Sequence, residues 1–169
     1  MKIPFAISAR TAHLIGMENF ANAEGAIVEL VKNAYDADAD ICVVVADVRE
    51  NKAESKLFII DNGSGMTDEI IIKHWMTIGT DDKLLNTRSS NKKRVKSGAK
   101  GIGRFALNRL GTSAEMLSFV SSEFGKGYVW SVDWKKFDKA RVLSDVEANL
   151  EEITADYLVD NWIDRKSVV

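Results

Sequence analysis

Between positions 22 and 37 the apolar residues Ala26, Ile27, Leu30, Val31, Ala34 and Ala37 recur three or four places apart. That is the spacing of one helical face that another layer must cover. Asn22 stands where an N-cap is needed, and Gly25 in the first turn leaves room for a close neighbour. Asp38 to Asp40 end the helix. Beside the apolar stripe, Glu29, Asn33 and Asp36 fall at i, i+4 and i+7, so a carboxylate, an amide and a second carboxylate lie about one turn apart. Amide and carboxylate oxygens are hard ligands suited to Mg²⁺, and a carboxylate close to a metal can orient and deprotonate water. Taken alone, the same spacing equally describes a boundary helix with solvated polar residues.

Around this helix the chain alternates element types. A short helix or extended arm is expected over 7–16. The β-branched run ICVVVADV at 41–48 predicts a strand, and KLFII at 56–60 its antiparallel neighbour. DNGSGM at 61–66 is a turn at a strand end. Thr67 then caps a helix through about Met76, with Ile70, Ile71, Trp75 and Met76 as core candidates and Gly79 as its stop. Residues 80–99 have no periodic apolar pattern. A loop of that length in a compact domain needs a functional reason, and the reading here is a mobile lid. A helix follows over 102–110, then two strands, 115–121 and 128–134, joined through 124–127, and a helix near Tyr157. Helices interleaved with about four strands, some of them antiparallel, predict an α/β two-layer sandwich of the α+β class rather than a doubly wound sheet.

The residue inventory narrows the function. Cys42 is the single cysteine and His13 and His74 the two histidines, so neither an internal disulfide nor a zinc site is expected. Without a run of eighteen apolar residues or a signal-peptide start, no membrane span is expected, and the default location is the cytoplasm. The net charge of -2 gives no global attraction to nucleic acid. A local basic run, Lys83, Arg88, Lys92, Lys93, Arg94, Lys96, Lys100 and Arg104, fits a loop facing phosphate or solvent better than a nucleic-acid surface, which stays an open alternative.

Two further segments can carry chemistry. Asp61, held in a turn with Gly63 and Gly65, can accept a hydrogen bond from a ligand amino group while the glycines admit a flat base; a plain tight turn is the other reading. GAKGIG at 98–103 runs straight into a helix, where backbone N–H groups favour an anion such as a triphosphate, although a structural glycine corner is equally open. It is neither a dinucleotide fingerprint nor a Walker A loop, since Ala106 occupies the third glycine position and no lysine followed by serine or threonine comes at the required offset.

In order and spacing, EGAIVELVKNAYDADA, DNGSGM and GAKGIGRFAL resemble the N box, adenine-binding box and second glycine box of the GHKL superfamily: gyrase B subunits, heat-shock chaperone ATPases, sensor histidine kinases and MutL proteins. The resemblance implies a Bergerat-type fold with a mixed, largely antiparallel sheet covered by helices on one face. It implies Mg·ATP as ligand, Glu29 as general base and Asn33 as the Mg²⁺ ligand. Asp36 would shape the nucleotide pocket, Asp61 would receive the adenine amino group, and Gly63, Gly65 and Met66 would line the base pocket. Gly101, Ile102 and Gly103 would bring lid backbone to the phosphates, with Lys100 and Arg104 added as candidates for screening phosphate charge.

Glu29, and HWMTIGTDDK ahead of a basic lid, look most similar to the MORC-like or chaperone-like branch. The later Gly-Thr strand and the second-domain cation of relatives have no counterpart after Trp134, so residues 1–169 are expected to form one ATP-binding domain of a larger protein. The leading expectation is slow ATP hydrolysis coupled to lid closure and ATP-dependent homodimerisation. The alternatives are a nucleotide-sensing or scaffold module without turnover, and kinase-type phosphoryl transfer, which needs a phosphoacceptor histidine in a helical setting that His13 and His74 lack.

Overall fold

The Asn22 side chain accepts a hydrogen bond from the Gly25 N–H at 2.9 Å, and this cap starts the second of two consecutive helices, α1 (Ala9–Asn19) and α2 (Ala23–Asp36). The computed structural model describes residues 5–20, 22–79, 87–97, 101–120 and 125–158. After α2 come β1 (Cys42–Asp47) and β2 (Lys56–Asp61), paired antiparallel with Cys42 opposite Asp61. The Thr67 hydroxyl caps α3, an α-turn at Asp68–Ile70 continued by a π-turn at Ile71–Trp75. A 3₁₀ turn, Gly103–Phe105, leads into α4 (Ala106–Leu110). The chain closes with β3 (Ser113–Phe119), β4 (Lys126–Asp133), α5 (Lys135–Lys139), β5 (Asn149–Thr154) and α6 (Ala155–Leu158).

The fold is α+β, with helices and antiparallel sheets. Among the described residues the strands form two ladders, β1–β2 and β3–β4–β5, and every pairing in them is antiparallel. Among the described residues no pairing joins the two ladders into the mixed sheet that the resemblance implies. The two ladders meet through the 61–66 turn, where Gly65 lies against the Phe119 backbone at the end of β3.

The larger core forms against β4, the central strand of its sheet. Tyr128, Trp130 and Val132 pack with Ile71, Phe105, Trp134 and Phe137. A second cluster joins Phe20, Ala26, Leu30 and Ala106, with Ile59 of β2 and Leu107 and Leu110 of α4 against it. Ala26, Leu30 and Ala34 of the predicted α2 stripe are buried, whereas Val31 is exposed. The two cores meet at α4, which contributes Ala106 to one and Leu107 to both. At the start of the chain, the Leu143 N–H donates to the Ile7 carbonyl, tying the segment ahead of α1 to the connection between α5 and β5.

Two expectations are corrected. Ile70 and Met76 are exposed, whereas Ile71 is fully buried and Trp75 half-buried. The stretch ends in a π-turn, closed by Met76 N–H donating to the Ile71 carbonyl. The acidic segment near the C-terminal end contains a fifth strand, β5. Of the expected lid, 80–86 and 98–99 lie outside the described residues, while 87–97 form a short hairpin with an Arg88–Val95 bridge. No helix among the described residues is long and apolar enough to cross a membrane.

Candidate functional site

The polar edge of α2 meets the start of the 3₁₀ turn. A Cβ added to Gly103 would lie 3.0 Å from Glu29 Oε1, 3.4 Å from Glu29 Cγ and 3.5 Å from Asn33 Nδ2. The absent side chain leaves a cradle in which the backbone at 103 reaches both helix residues. Glu29 keeps 22% side-chain exposure, with the Lys32 ammonium 3.9 Å from its Oε2. One turn further on, Asp36 is buried, and its Oδ1 accepts from the Ser97 N–H at 2.8 Å and the Ser97 hydroxyl at 3.4 Å.

Asp61, the last residue of β2, is exposed, and its Oδ1 accepts from the Gly63 N–H at 2.8 Å. The turn it opens is fixed at both ends. On one side the Ser64 N–H donates to the Ala37 carbonyl at 2.8 Å, and Asn62 Oδ1 accepts from the Asp40 and Ile41 amides at 2.8 and 2.9 Å. On the other, the Met66 N–H donates to the Ser118 hydroxyl at 2.6 Å, and that hydroxyl donates back to the Met66 carbonyl at 3.1 Å. Gly63 sits so close to Ala37 that an added Cβ would be 2.9 Å from its Cβ. The 61–66 turn therefore begins where the Glu29–Asn33–Asp36 helix ends. Cys42, opposite Asp61 in the ladder, has its thiol pKa pushed up by burial and by the Asp61 charge, which keeps it protonated and a poor nucleophile.

Of the glycine segment, Lys100 lies outside the described residues. Gly101 adopts a φ of 61° and its carbonyl accepts from the Gly79 N–H at 3.4 Å, while Ile102 packs against the larger core. Arg104 is buried, and its Nη2 donates to the His74 carbonyl at 3.2 Å and the Gly101 carbonyl at 3.0 Å. Its guanidinium carbon lies 5.7 Å from the centre of the Trp75 ring. Burial pushes its pKa down to about 10. The side chain braces the glycine turn against the end of α3, and its Nε and Nη1 have no partner among the described residues.

The structure thus brings Glu29, Asn33 and Gly103 into contact and places Asp36, Gly63 and Asp61 along the same route. Among the described residues no three His, Cys, Asp or Glu side chains cluster to hold a metal on their own. That donor set suits Mg²⁺, which is commonly held by one or two protein oxygens together with substrate phosphates. Two concavities of about 580 and 360 Å³ lie elsewhere, and neither is lined by any of these residues.

Sequence reasoning missed the anchors. Asn62 and Ser118 hold the 61–66 turn, and Asp38, Arg94 and Ser97 hold the hairpin. Asp38 alone carried a signal: aspartate after a helix end readily takes the left-handed conformation, and its φ is 66°.

A family model described as "Histidine kinase-, DNA gyrase B-, and HSP90-like ATPase" matches residues 21–163. The search of curated proteins gives no match.

Proposed function

The chain belongs to the histidine kinase-, DNA gyrase B-, and HSP90-like ATPase family, and from that premise we propose that it binds Mg·ATP along α2 and hydrolyses it slowly. The contact of Gly103 with Glu29 and Asn33 carries this reading, because it joins the helix bearing the oxygen donors to the glycine segment that would face the phosphates. Bound Mg²⁺ would supply charge neutralisation between the phosphates. Asn33 offers its amide oxygen to the cation, and Glu29, partly solvated, takes a proton from the attacking water. Asp61 receives the adenine amino group, and Gly63, Gly65 and Met66 form the wall beside it. Gly101, Ile102 and Gly103 present backbone to the phosphates.

In this reading the two ladders are parts of one Bergerat-type sandwich, nearest the MORC-like or chaperone-like branch, and ATP drives closure over the site and homodimerisation of the full-length protein. The open, exposed setting of Asp61 supports entry of the base from solvent. Titration with a nonhydrolysable ATP analogue, with and without Mg²⁺, should show metal-dependent binding. Phosphate release per chain should rise with protein concentration if dimerisation completes the site. Binding without phosphate release at any concentration would replace this reading with a nucleotide-sensing scaffold, and no binding would reject both.

A further inference from the structure

We propose that Asp38 and Arg94 are positioning residues for nucleotide binding: they clasp the 87–97 hairpin to the C-terminal end of α2 and so hold the Ser97 amide on the Asp36 carboxylate. This rests on the ATP-binding reading above. The end of a helix leaves carbonyls without intrahelical donors and gathers partial negative charge. Arg94 answers both. Its Nη1 donates to the Ala39 carbonyl at 2.6 Å and the Tyr35 carbonyl at 3.4 Å, and its guanidinium carbon lies 4.7 Å from the centre of the Tyr35 ring.

Asp38 works in the opposite direction. Its left-handed backbone turns the carboxylate away from α2, where it accepts from the Asn91 N–H at 2.8 Å and the Lys92 N–H at 3.2 Å. Burial opposes its ionisation, but the Ser89 hydroxyl, those two amides and the Arg94 charge outweigh it and hold its pKa below the usual carboxylate range. Asp40 adds ion pairs to Lys92 and Arg94.

The hairpin is closed on itself as well. Ser89, 2% exposed, donates its N–H to the Arg94 carbonyl at 2.9 Å, and its hydroxyl accepts from the Arg94 N–H at 2.8 Å. The Lys96 N–H donates to the Thr87 carbonyl at 2.9 Å. A rigid hairpin gripped from α2 thus delivers Ser97 to Asp36. The 61–66 turn rests on the same stretch, through the Ser64 N–H on the Ala37 carbonyl and Asn62 on the Asp40 and Ile41 amides, and has one anchor away from it in Ser118. Breaking the clasp should therefore loosen the Asp36 wall of the site, while Ser118 keeps the far end of the turn in place.

The test uses Asp38→Asn and Arg94→Lys in the full chain. Asparagine tolerates the left-handed backbone, and lysine keeps the charge while losing the planar fork, so both variants should fold. Amide hydrogen exchange at Asn91, Lys92 and Ser97 is read beside affinity for a nonhydrolysable ATP analogue with Mg²⁺. In each variant the three amides should exchange faster together, by about tenfold or more, with analogue affinity falling about tenfold. Faster exchange at Asn91 and Lys92 with Ser97 unchanged would overturn the proposal. So would unchanged analogue affinity. A parent chain that does not bind the analogue rejects the nucleotide reading before any substitution is made, so the two failures are distinguishable.

Discussion

Gly65→Ala should destabilise the fold far more than Gly79→Ala, although both glycines hold nearly the same backbone conformation, with φ of 69° and 73°. A left-handed alanine costs about 1 to 2 kcal/mol, and both variants share this. They differ in their surroundings. A Cβ on Gly79 meets nothing within 4 Å, whereas one on Gly65 would lie 2.1 Å from the Phe119 carbonyl oxygen and 2.8 Å from its carbon. Those are backbone atoms paired with Gly127 in the β3–β4 ladder, so no side-chain rotation relieves the clash. Overpacking of this kind adds about 1 to 3 kcal/mol. The total for Gly65→Ala is about 2 to 5 kcal/mol, a large share of the roughly 5 to 15 kcal/mol that holds a typical domain together. Urea unfolding of the two variants gives the difference directly, provided the slope is unchanged. Equal midpoints would refute the reasoning, because they would mean that the turn does not rest on the end of β3.

Asp61→Asn should keep the fold and weaken ATP binding by about 1 to 3 kcal/mol, roughly tenfold to a hundredfold in Kd by calorimetry, since an amide can turn a donor toward the adenine amino group. Gly103→Ala meets the movable end of Glu29 rather than backbone, so its unfolding midpoint should stay near the parent's while analogue affinity falls by about 1 kcal/mol, near fivefold; a large loss of stability would count against the contact. Asp38 and Asp40 both have lowered carboxyl pKa values, Asp40 through its Lys92 hydrogen bond and charge and through Arg94, partly opposed by burial and by the Asp38 charge. Hairpin protection should therefore be complete above the free carboxyl value of 3.8 and be lost as the pH falls through the lower folded values. Amide exchange at Asn91 and Lys92, corrected for intrinsic rates, would show no loss of protection across that range if these carboxylates did not hold the hairpin.

The parts legible in the sequence are those set by short-range physics. The period from Ala26 to Ala34 and the Asn22 cap give α2, and the β-branched run and its partner give β1 and β2. Within α2, the same period puts Glu29 and Asn33 on the edge that Gly103 meets. What stayed hidden depends on distant partners. The hairpin at 87–97 has no apolar pattern, because carboxylates and carbonyls near the end of α2, some fifty residues earlier, hold it in place. The two apolar residues of β5 are Leu150, packed against the larger core, and the buried Ile153, so Glu151 and Glu152 make the strand look like a solvated acidic stretch. The helix after Thr67 buries Ile71 and half-buries Trp75 as its apolar pattern allows, but leaves the neighbouring Ile70 and Met76 exposed. Arg104 reads as a phosphate-screening cation in the sequence, and its place beneath the glycine turn follows from carbonyls of two separate segments.

The central claim is that Asn33 and Glu29, one turn apart on α2, divide the work between cation and water. Nucleotide titration with and without Mg²⁺, paired with phosphate release, in Asn33→Ala and Glu29→Gln separates the roles. Asn33→Ala should lose the metal-dependent part of ATP affinity. Glu29→Gln should bind the nucleotide as the parent does and release phosphate about 10²- to 10⁴-fold more slowly, since a general base acts chiefly in the transition state. General disruption of α2 would lower both measurements in both variants. Parental turnover and parental affinity in Glu29→Gln would contradict the account.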